Sequence, residues 1–275
     1  MAAPTFFCTP ITLTPNPTLN RFLHNLLTLP SGMVKRIKVG CCGLAGLSLP
    51  EYSKRFEVIE LQSTFYKLPL PKTALRWRNS VPEEFEFTMK AFQGITHPIS
   101  SPTWRRAGSQ KPKERQEAYG HLQLTEENLE CWRKTLQIFS LLKATFCVIN
   151  LPPSFSRTEE NVKRLLNFFK GSNINIGIEF RHPSWFKDSQ RTAEDLKEIG
   201  AVHIVDPLVS KPLIETEIQY FRLHGLGPKP YAYKYSDDDL CKLRELVKEQ
   251  SAETVYVMFN NTNMREDAQR FLKML

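Results

Sequence analysis

From residue 36 onward, short apolar runs in which every second position is polar alternate with longer stretches of helical spacing. A period of two predicts strands, and apolar residues three and four positions apart predict helices. The predicted strands span residues 37–40, 58–62, 85–90, 146–151, 176–181, 202–206, 220–224 and 255–260. The helices predicted between them span 73–79, 125–142, 159–169, 192–199, 237–249 and 265–274.

Eight strands that alternate with helices predict parallel pairing through right-handed crossovers. Two folds meet this description, a closed TIM-type (β/α)8 barrel and an open doubly wound sheet. The open sheet is disfavoured because no G-x-G-x-x-G follows the first strand, and because eight regular units favour closure. We therefore expect a single-domain TIM-type barrel over residues 34–275.

The first 33 residues differ from the rest of the chain. The first acidic residue is Glu51, and Arg21 is the only Lys or Arg before Lys35. A transit or signal peptide is therefore poorly supported, because both need basic residues. Five prolines interrupt the segment, at Pro4, Pro10, Pro15, Pro17 and Pro30. We expect residues 1–33 to be a disordered or spurious leader.

Alternation also predicts which side chains face the barrel axis. In the fifth strand, Ile176, Ile178 and Phe180 form the apolar face that packs on the helices. Glu179 and Arg181 therefore face inward. Applied to every strand, the rule gathers polar residues at the C-terminal ends, namely Glu60, Gln62, Thr88, Lys90, Asn150, Glu179, Arg181, Asp206, Arg222, His224 and Asn260.

This concentration of polar residues indicates a site. Barrel interiors are otherwise filled by apolar layers, and barrel enzymes carry their active sites at the C-terminal face. Desolvating polar groups costs free energy unless a ligand or a partner contacts them. We therefore expect a ligand pocket at the mouth. The alternative is that ion pairs such as Glu179–Arg222 only close the barrel.

The residue types in the pocket suit an anionic substrate and acid–base chemistry. Guanidinium groups hold phosphate or carboxylate, and a carboxylate beside a histidine is an acid–base couple. The candidate catalytic residues are Glu60, Glu179, Asp206 and His224. The candidate substrate-binding residues are Gln62, Lys90, His97, Asn150, Arg181, His182, Trp185, Arg222 and Asn260. Glu, Asp and His would also suit a divalent metal, but the sequence has no H-E-x-x-H, P-loop, G-x-S-x-G or nucleotide-cofactor motif.

Composition adds a charge and a compartment. The chain has 37 basic and 29 acidic residues, a net charge of +8, which is compatible with a phosphate-bearing partner or with a solvated basic surface. Six cysteines without C-x-x-C spacing favour the reducing cytoplasm, and no apolar run reaches the length of a membrane span. A basic insert at 104–115 offers a nucleic-acid contact through Arg105, Arg106, Lys111, Lys113 and Arg115.

Several motifs occur in the order found in one known family. They are V-G-C-C-G-L at 39–44, E-L-Q-S-T-F-Y-K-L-P at 60–69, P-x-x-F-x-F-T-M-K-A at 82–91, I-T-H at 95–97, N-L-P-P-S-F at 150–155, I-E-F-R-H-P-S-W at 178–185, F-R-L-H-G at 221–225 and F-N-N at 259–261. Over residues 36–275 the chain resembles the YecE-like family, domain of unknown function 72. The resemblance implies a TIM-type barrel and supplies no reaction. Cys41-Cys42 stands where the family usually has Thr-Ser, and Asn150 where glutamine is common.

Three functions remain open from the sequence. The first is an enzyme that acts on a phosphate-bearing substrate, including a nucleic-acid phosphodiester, by acid–base or metal-assisted hydrolysis. The second is an enzyme for a small sugar phosphate or carboxylate metabolite. The third is a non-catalytic protein that binds nucleic acid or another ligand. The basic insert favours nucleic acid, whereas the confined pocket of a closed barrel favours a small metabolite.

Overall fold

The computed structural model describes residues 35–275, and the predicted leader lies outside the described residues. The strands within this range are β1 (Arg36–Cys42), β2 (Val58–Leu61), β3 (Glu86–Lys90), β4 (Phe146–Asn150), β5 (Ile176–Glu179), β6 (Val202–His203), β7 (Ile218–Leu223) and β8 (Thr254–Phe259). The helices are α1 (Leu49–Ser53), α2 (Ser63–Tyr66), α3 (Pro71–Asn79), α4 (Gln93–Thr96), α5 (Glu126–Leu141), α6 (Glu159–Phe169), α7 (Ser189–Glu198), α8 (Asp237–Lys248) and α9 (Met264–Leu272). Every strand and helix predicted from periodicity is present. The short helices α1, α2 and α4 were not predicted.

All strand pairs are parallel, in the order β6-β5-β4-β3-β2-β1-β8-β7. The two outer strands meet through a single bridge between Val205 and Phe221. Beside it, the Arg222 amide donates to the Val205 carbonyl at 2.9 Å. The sheet is therefore a nearly closed (β/α)8 barrel of the TIM type, and the predicted fold class is confirmed.

The sixth strand is shorter than the predicted 202–206. Only Val202 and His203 form a ladder with β5. A proline at 207 disfavours continuation, because its ring restricts the preceding residue and it has no amide to donate. The chain turns here instead, with the Val209 and Ser210 amides donating to the Asp206 carbonyl at 3.0 and 2.9 Å.

The barrel interior has an apolar floor beneath its polar mouth. The floor consists of Cys42, Val58, Phe146, Val148, Val202, Ile204, Tyr220, Tyr256 and Met258. Its members on β2, β4, β7 and β8 lie on the predicted inward face. The Phe146 and Tyr220 rings stack with centroids 4.5 Å apart. Gly177 makes room for them, because a Cβ there would lie 2.6 Å from the Phe146 ring. The floor fills the lower barrel and leaves the polar groups at the C-terminal end.

The longer helices begin at the polar caps that the sequence indicates. The hydroxyls of Thr125, Thr158 and Ser236 accept the amides three residues later at the starts of α5, α6 and α8. These bonds satisfy amides that lack an intrahelical partner. Within residues 35–275, no helix combines the length and the apolar character that a membrane span requires.

Trp185 does not reach the mouth, contrary to the prediction that it binds substrate. Its side chain is 0% exposed and stacks on Phe180 with centroids 4.4 Å apart. Its indole N–H donates to the Phe155 carbonyl at 2.8 Å. Phe180 faces the helices, so the turn Pro183–Phe186 folds the indole back onto the outer side of the sheet. The residue belongs to the core.

Replacing Trp185 with alanine is expected to lower the free energy of unfolding by about 3–5 kcal/mol, because it leaves a cavity among aromatic rings. Urea unfolding measures the change. Leu124→Ala is the control: this side chain is exposed, so its removal is expected to change stability by no more than about 0.5 kcal/mol. A loss of similar size in both variants would contradict the packing described.

Candidate functional site

Arg222 lies at the centre of a buried ionic network at the C-terminal end of the barrel. Its side chain is 1% exposed. Its Nε and Nη2 atoms each lie 3.0 Å from an oxygen of Glu60, and its Nη1 donates to Glu179. The Tyr220 hydroxyl also donates to Glu60 at 3.0 Å. The ion pairs join β2, β5 and β7, which are not neighbours in the sheet.

Glu179 uses both of its carboxylate oxygens within the protein. Arg181 and His224 lie 2.7 and 2.8 Å from Oε1, while Asn150 and Arg222 donate to Oε2. Burial by itself raises the pKa of a carboxyl, but here Arg222 and Arg181 hold the pKa of Glu179 well below its usual range. The carboxylate stays ionised at neutral pH, and its main effect is to hold the groups around it.

His224 is neutral and fixed in one tautomer. Burial lowers the pKa of His224 despite the adjacent carboxylate of Glu179. The Asn260 amide nitrogen lies 3.0 Å from Nδ1, so Nδ1 accepts and Nε2 donates to Glu179. Asp206 accepts the backbone amide of His224 at 3.1 Å, and burial raises the pKa of Asp206 to about 6. Asp206 thus supports the backbone of β7 and does not line the mouth.

A cleft of about 360 Å³ opens above this network. It is lined by Gln62, Lys90, His97, Asn150, Arg181, Arg222 and Asn260, together with Phe65, Tyr66, Thr103, Pro153 and Tyr231. Seven of the nine predicted substrate-binding residues therefore share one cavity. The predicted catalytic residues Glu60, Glu179 and His224 lie beneath it, in the network.

His182, like Trp185, lies away from the cleft, contrary to the prediction. Its Nδ1 accepts the Ser184 amide at 3.1 Å and lies 2.7 Å from the Ser184 hydroxyl. The ring thereby caps the turn Pro183–Phe186. Alternation does not fix this position, because β5 ends at Glu179 and His182 belongs to the turn that follows.

Lys90 is a cationic group of the cleft for which the described residues 35–275 provide no counter-ion. Its residue is 7% exposed, and no hydrogen bond or ion pair within residues 35–275 involves Nζ. Nζ lies 4.0 Å from the centroid of the Phe65 ring. Burial and the nearby Arg222 lower the pKa of Lys90 to about 8. Beside it, burial lowers the pKa of His97 to about 3, so this imidazole is neutral.

The charges at the mouth favour an anion over a metal. Lys90, Arg181 and Arg222 outnumber the two carboxylates Glu60 and Glu179 by one. Within residues 35–275, no group of three His, Cys, Asp or Glu side chains could hold a metal ion. Both carboxylates already neutralise Arg222, so this donor set does not fit a divalent cation.

Residues 44–275 match the family model described as "Protein of unknown function DUF72". The chain belongs to the DUF72 family. It is 26% identical over 259 residues to the UPF0759 protein YunF of Bacillus subtilis (strain 168), covering 82% of this chain and 85% of YunF. The crystal structure of a DUF72 family protein from Enterococcus faecalis V583 has a TM-score of 0.67 and 23% identity, covering 88% of this chain and 98% of that one. A DUF72 structure from Thermotoga maritima MSB8 has a TM-score of 0.64 and 24% identity, covering 87% and 98%.

The DUF72 relatives share the fold and the family, so the chemistry has to come from side chains. Two tyrosines, Tyr66 and Tyr231, also line the cleft. Phe65 was not singled out, although it lies inside the motif at 60–69 and directly under Lys90. The alternation rule could not find it, because Phe65 follows the end of β2.

The basic insert of this DUF72 protein forms short helical turns on the rim of the cleft. Trp104 is buried, and its indole N–H donates to the His97 carbonyl at 3.1 Å. Arg106 stacks on Tyr66 with its guanidinium carbon 3.9 Å from the ring centroid. Arg115 pairs with Glu127 of α5. Arg105, Lys111 and Lys113 are exposed. The insert is thus partly committed to packing and is not the open loop that its composition predicts.

Removing the central cation is expected to be costly. Arg222→Met leaves the buried carboxylates of Glu60 and Glu179 without their shared partner and should lower the free energy of unfolding by about 3–5 kcal/mol. Denaturant unfolding at pH 7 measures the loss. Arg133→Met, which breaks exposed helix pairs with Glu126 and Glu130, should cost less than about 1 kcal/mol. Equal losses of stability in the two variants would show that the buried network is no more important to folding than an exposed ion pair.

Lys90→Met is expected to stabilise the protein at pH 7, because the folded state desolvates an ammonium without a counter-ion. The pKa of Lys90 in the folded protein, about 8, lies below the usual 10.5. The loss of stability that Lys90 causes is therefore complete below pH 8 and disappears as the pH rises to 10.5. We expect the free energy of unfolding of the variant to exceed that of the wild type by about 1–3 kcal/mol at pH 7, and this difference to fall to zero as the pH rises to 10.5. Urea unfolding across pH 7 to 10.5 measures it. Lys67→Met, at an exposed position, is the control. A stability difference between Lys90→Met and the wild type that does not change with pH would contradict the lowered pKa of Lys90.

Proposed function

We propose that this DUF72 protein is an enzyme that binds a small metabolite bearing a phosphate or carboxylate group at its barrel mouth. The observation that carries the proposal is the buried ammonium of Lys90, which has no acceptor within residues 35–275. A buried charge without a partner destabilises a fold, so an anionic ligand is the natural counter-ion at this position.

Arg181 supports the same anion. Its side chain is 32% exposed and lines the cleft, so part of its guanidinium is accessible to a ligand. Glu179 lies 2.7 Å from its Nη2 and holds the group in one orientation. A guanidinium fixed in this way suits a planar carboxylate or a phosphate oxygen pair.

The size of the cleft favours a small metabolite. A volume of about 360 Å³ falls at the lower end of the usual range for small-molecule sites, roughly 300–1,000 Å³. The insert narrows the rim, since its Arg106 stacks on Tyr66, which lines the cleft. Acid–base chemistry is better supported than metal-assisted hydrolysis. The pKa of Lys90, about 8, lies close to a neutral working pH, where a proton donor and acceptor is most effective.

Ligand-induced stabilisation tests the proposal. The full chain is heated with inorganic phosphate, a sugar phosphate, a 2-oxo carboxylate or a neutral sugar. An anionic ligand at 100 times its Kd should add about 2.7 kcal/mol of stability, and the neutral sugar should add none. Lys90→Met and Arg181→Gln should each raise the Kd of the anionic ligand at least about tenfold, which corresponds to roughly 1.4 kcal/mol. The exposed Lys67→Met should leave it unchanged.

Two results would contradict this function. One is an anion that binds equally well to the wild type and to both cleft variants. The other is tight binding of an oligonucleotide with a steep salt dependence that flattens when Arg105, Lys111 and Lys113 are neutralised. That second result would move the function to the basic insert and to nucleic acid.

A further inference from the structure

We propose that Lys90 is a nucleophile that forms a Schiff base with the carbonyl group of an anionic aldehyde or ketone bound in the cleft. The inference rests on the proposed function, since Arg181 is the group that would bind the anionic end of the substrate. It goes further by naming a covalent step, a substrate class and the atom that reacts.

The geometry around Nζ also suits a nucleophile. The amine lies over the face of Phe65 at 4.0 Å, a contact that favours the ammonium, but no carboxylate or carbonyl within residues 35–275 accepts a hydrogen bond from it. Here the protein desolvates the ammonium, which is one of the two arrangements that activate lysine nucleophiles.

The second arrangement, a neighbouring cation, is also present. The charged and titratable groups that face Lys90 come from four other parts of the barrel: Arg222 on β7, Glu60 on β2, Glu179 and Arg181 at the end of β5, and His97 after α4. The two carboxylates are already bonded to Arg222 and so leave Nζ without an ion pair. The neutral His97 adds no compensating charge.

The cleft can orient a substrate with an anionic group at one end and a carbonyl at the other. Arg181 is the accessible cation, and Lys90 lies deeper, beside the aromatic ring of Phe65. The amides of Gln62 and Asn150 each donate one N–H to a carboxylate of the network and line the cleft with the rest of their polar atoms. They are placed to hydrogen-bond a hydroxyl or carbonyl oxygen of the substrate.

The step is balanced within the protein and its substrate. Nζ, having released one proton, attacks the carbonyl carbon, and the C=O π pair moves to the oxygen, which takes up a proton. The attached nitrogen then passes one of its two protons to the hydroxyl oxygen, which leaves as water while the freed nitrogen lone pair forms the C=N bond. One ammonium and one carbonyl thus give one iminium and one water, and the positive charge is conserved. No oxidant or reductant is required.

Reductive trapping tests the inference on the full chain. The protein is incubated with glyoxylate and sodium cyanoborohydride at pH 7, and the modified lysine is located by peptide mass spectrometry. At this pH a lysine with a pKa near 8 is unprotonated on the order of 10² times more often than one near 10.5. A less basic amine is also a weaker nucleophile, so Lys90 should be trapped at least about tenfold faster than the exposed Lys67, with a rate that levels off above pH 8.

Two controls separate this inference from the proposed function. Acetaldehyde carries no anionic group, and Arg181→Gln keeps the amine but removes the accessible cation. If Lys90 reacts quickly with both aldehydes, and Arg181→Gln does not reduce any preference for glyoxylate, the Schiff base stands and the anion site fails. If phosphate or a carboxylate binds as proposed but Lys90 is trapped no faster than Lys67, the anion site stands and the Schiff base is overturned. Loss of the glyoxylate preference in Arg181→Gln, with rapid trapping by acetaldehyde retained, supports both.

Discussion

The buried guanidinium of Arg222, shared by Glu60 and Glu179, sets the properties of the whole barrel mouth. Because it pairs with both carboxylates, Glu179, which also contacts Arg181, remains ionised inside the protein and can hold Arg181 and His224 in place. Burial disfavours the ammonium form of Lys90, and the nearby guanidinium of Arg222 disfavours it further. One cation therefore fixes a second cation, orients a neutral histidine and lowers the pKa of an amine.

This arrangement is hard to explain as a device for stability. Buried ion pairs contribute little more than well-packed apolar side chains would, and a desolvated lysine without a counter-ion reduces stability outright. Departures of this kind from good packing are expected where a protein binds or reacts, because stability there is secondary to function. The floor of the barrel, by contrast, is packed with apolar side chains and the stacked rings of Phe146 and Tyr220, as expected for a part of the interior that binds no ligand.

The loops that follow the strands decide what reaches these groups. The insert that begins near Trp104 packs its indole against the segment after α4 and lays Arg106 on Tyr66, which confines the cleft from one side. The turn after β5 places Trp185 behind the sheet, so the indole supports Phe180 and takes no part in the cleft. The family shares the barrel, and chemistry at the mouth depends on such local choices.

The sequence by itself determined the barrel, its strands and the inward face of each strand, because a period of two is a local property of each strand and its apolar face has to be buried. Glu60, Lys90, Glu179 and Arg222 could be placed at the mouth on that basis alone. Tertiary structure decided how these groups divide, with Glu60, Glu179 and Arg222 in a closed network and Lys90 left without a counter-ion. It also decided where residues beyond the strand ends lie: His182 caps a turn, Arg115 pairs with Glu127, and Phe65 lies under Lys90. These contacts join residues far apart in the chain, or in segments without periodicity, so no local pattern could specify them.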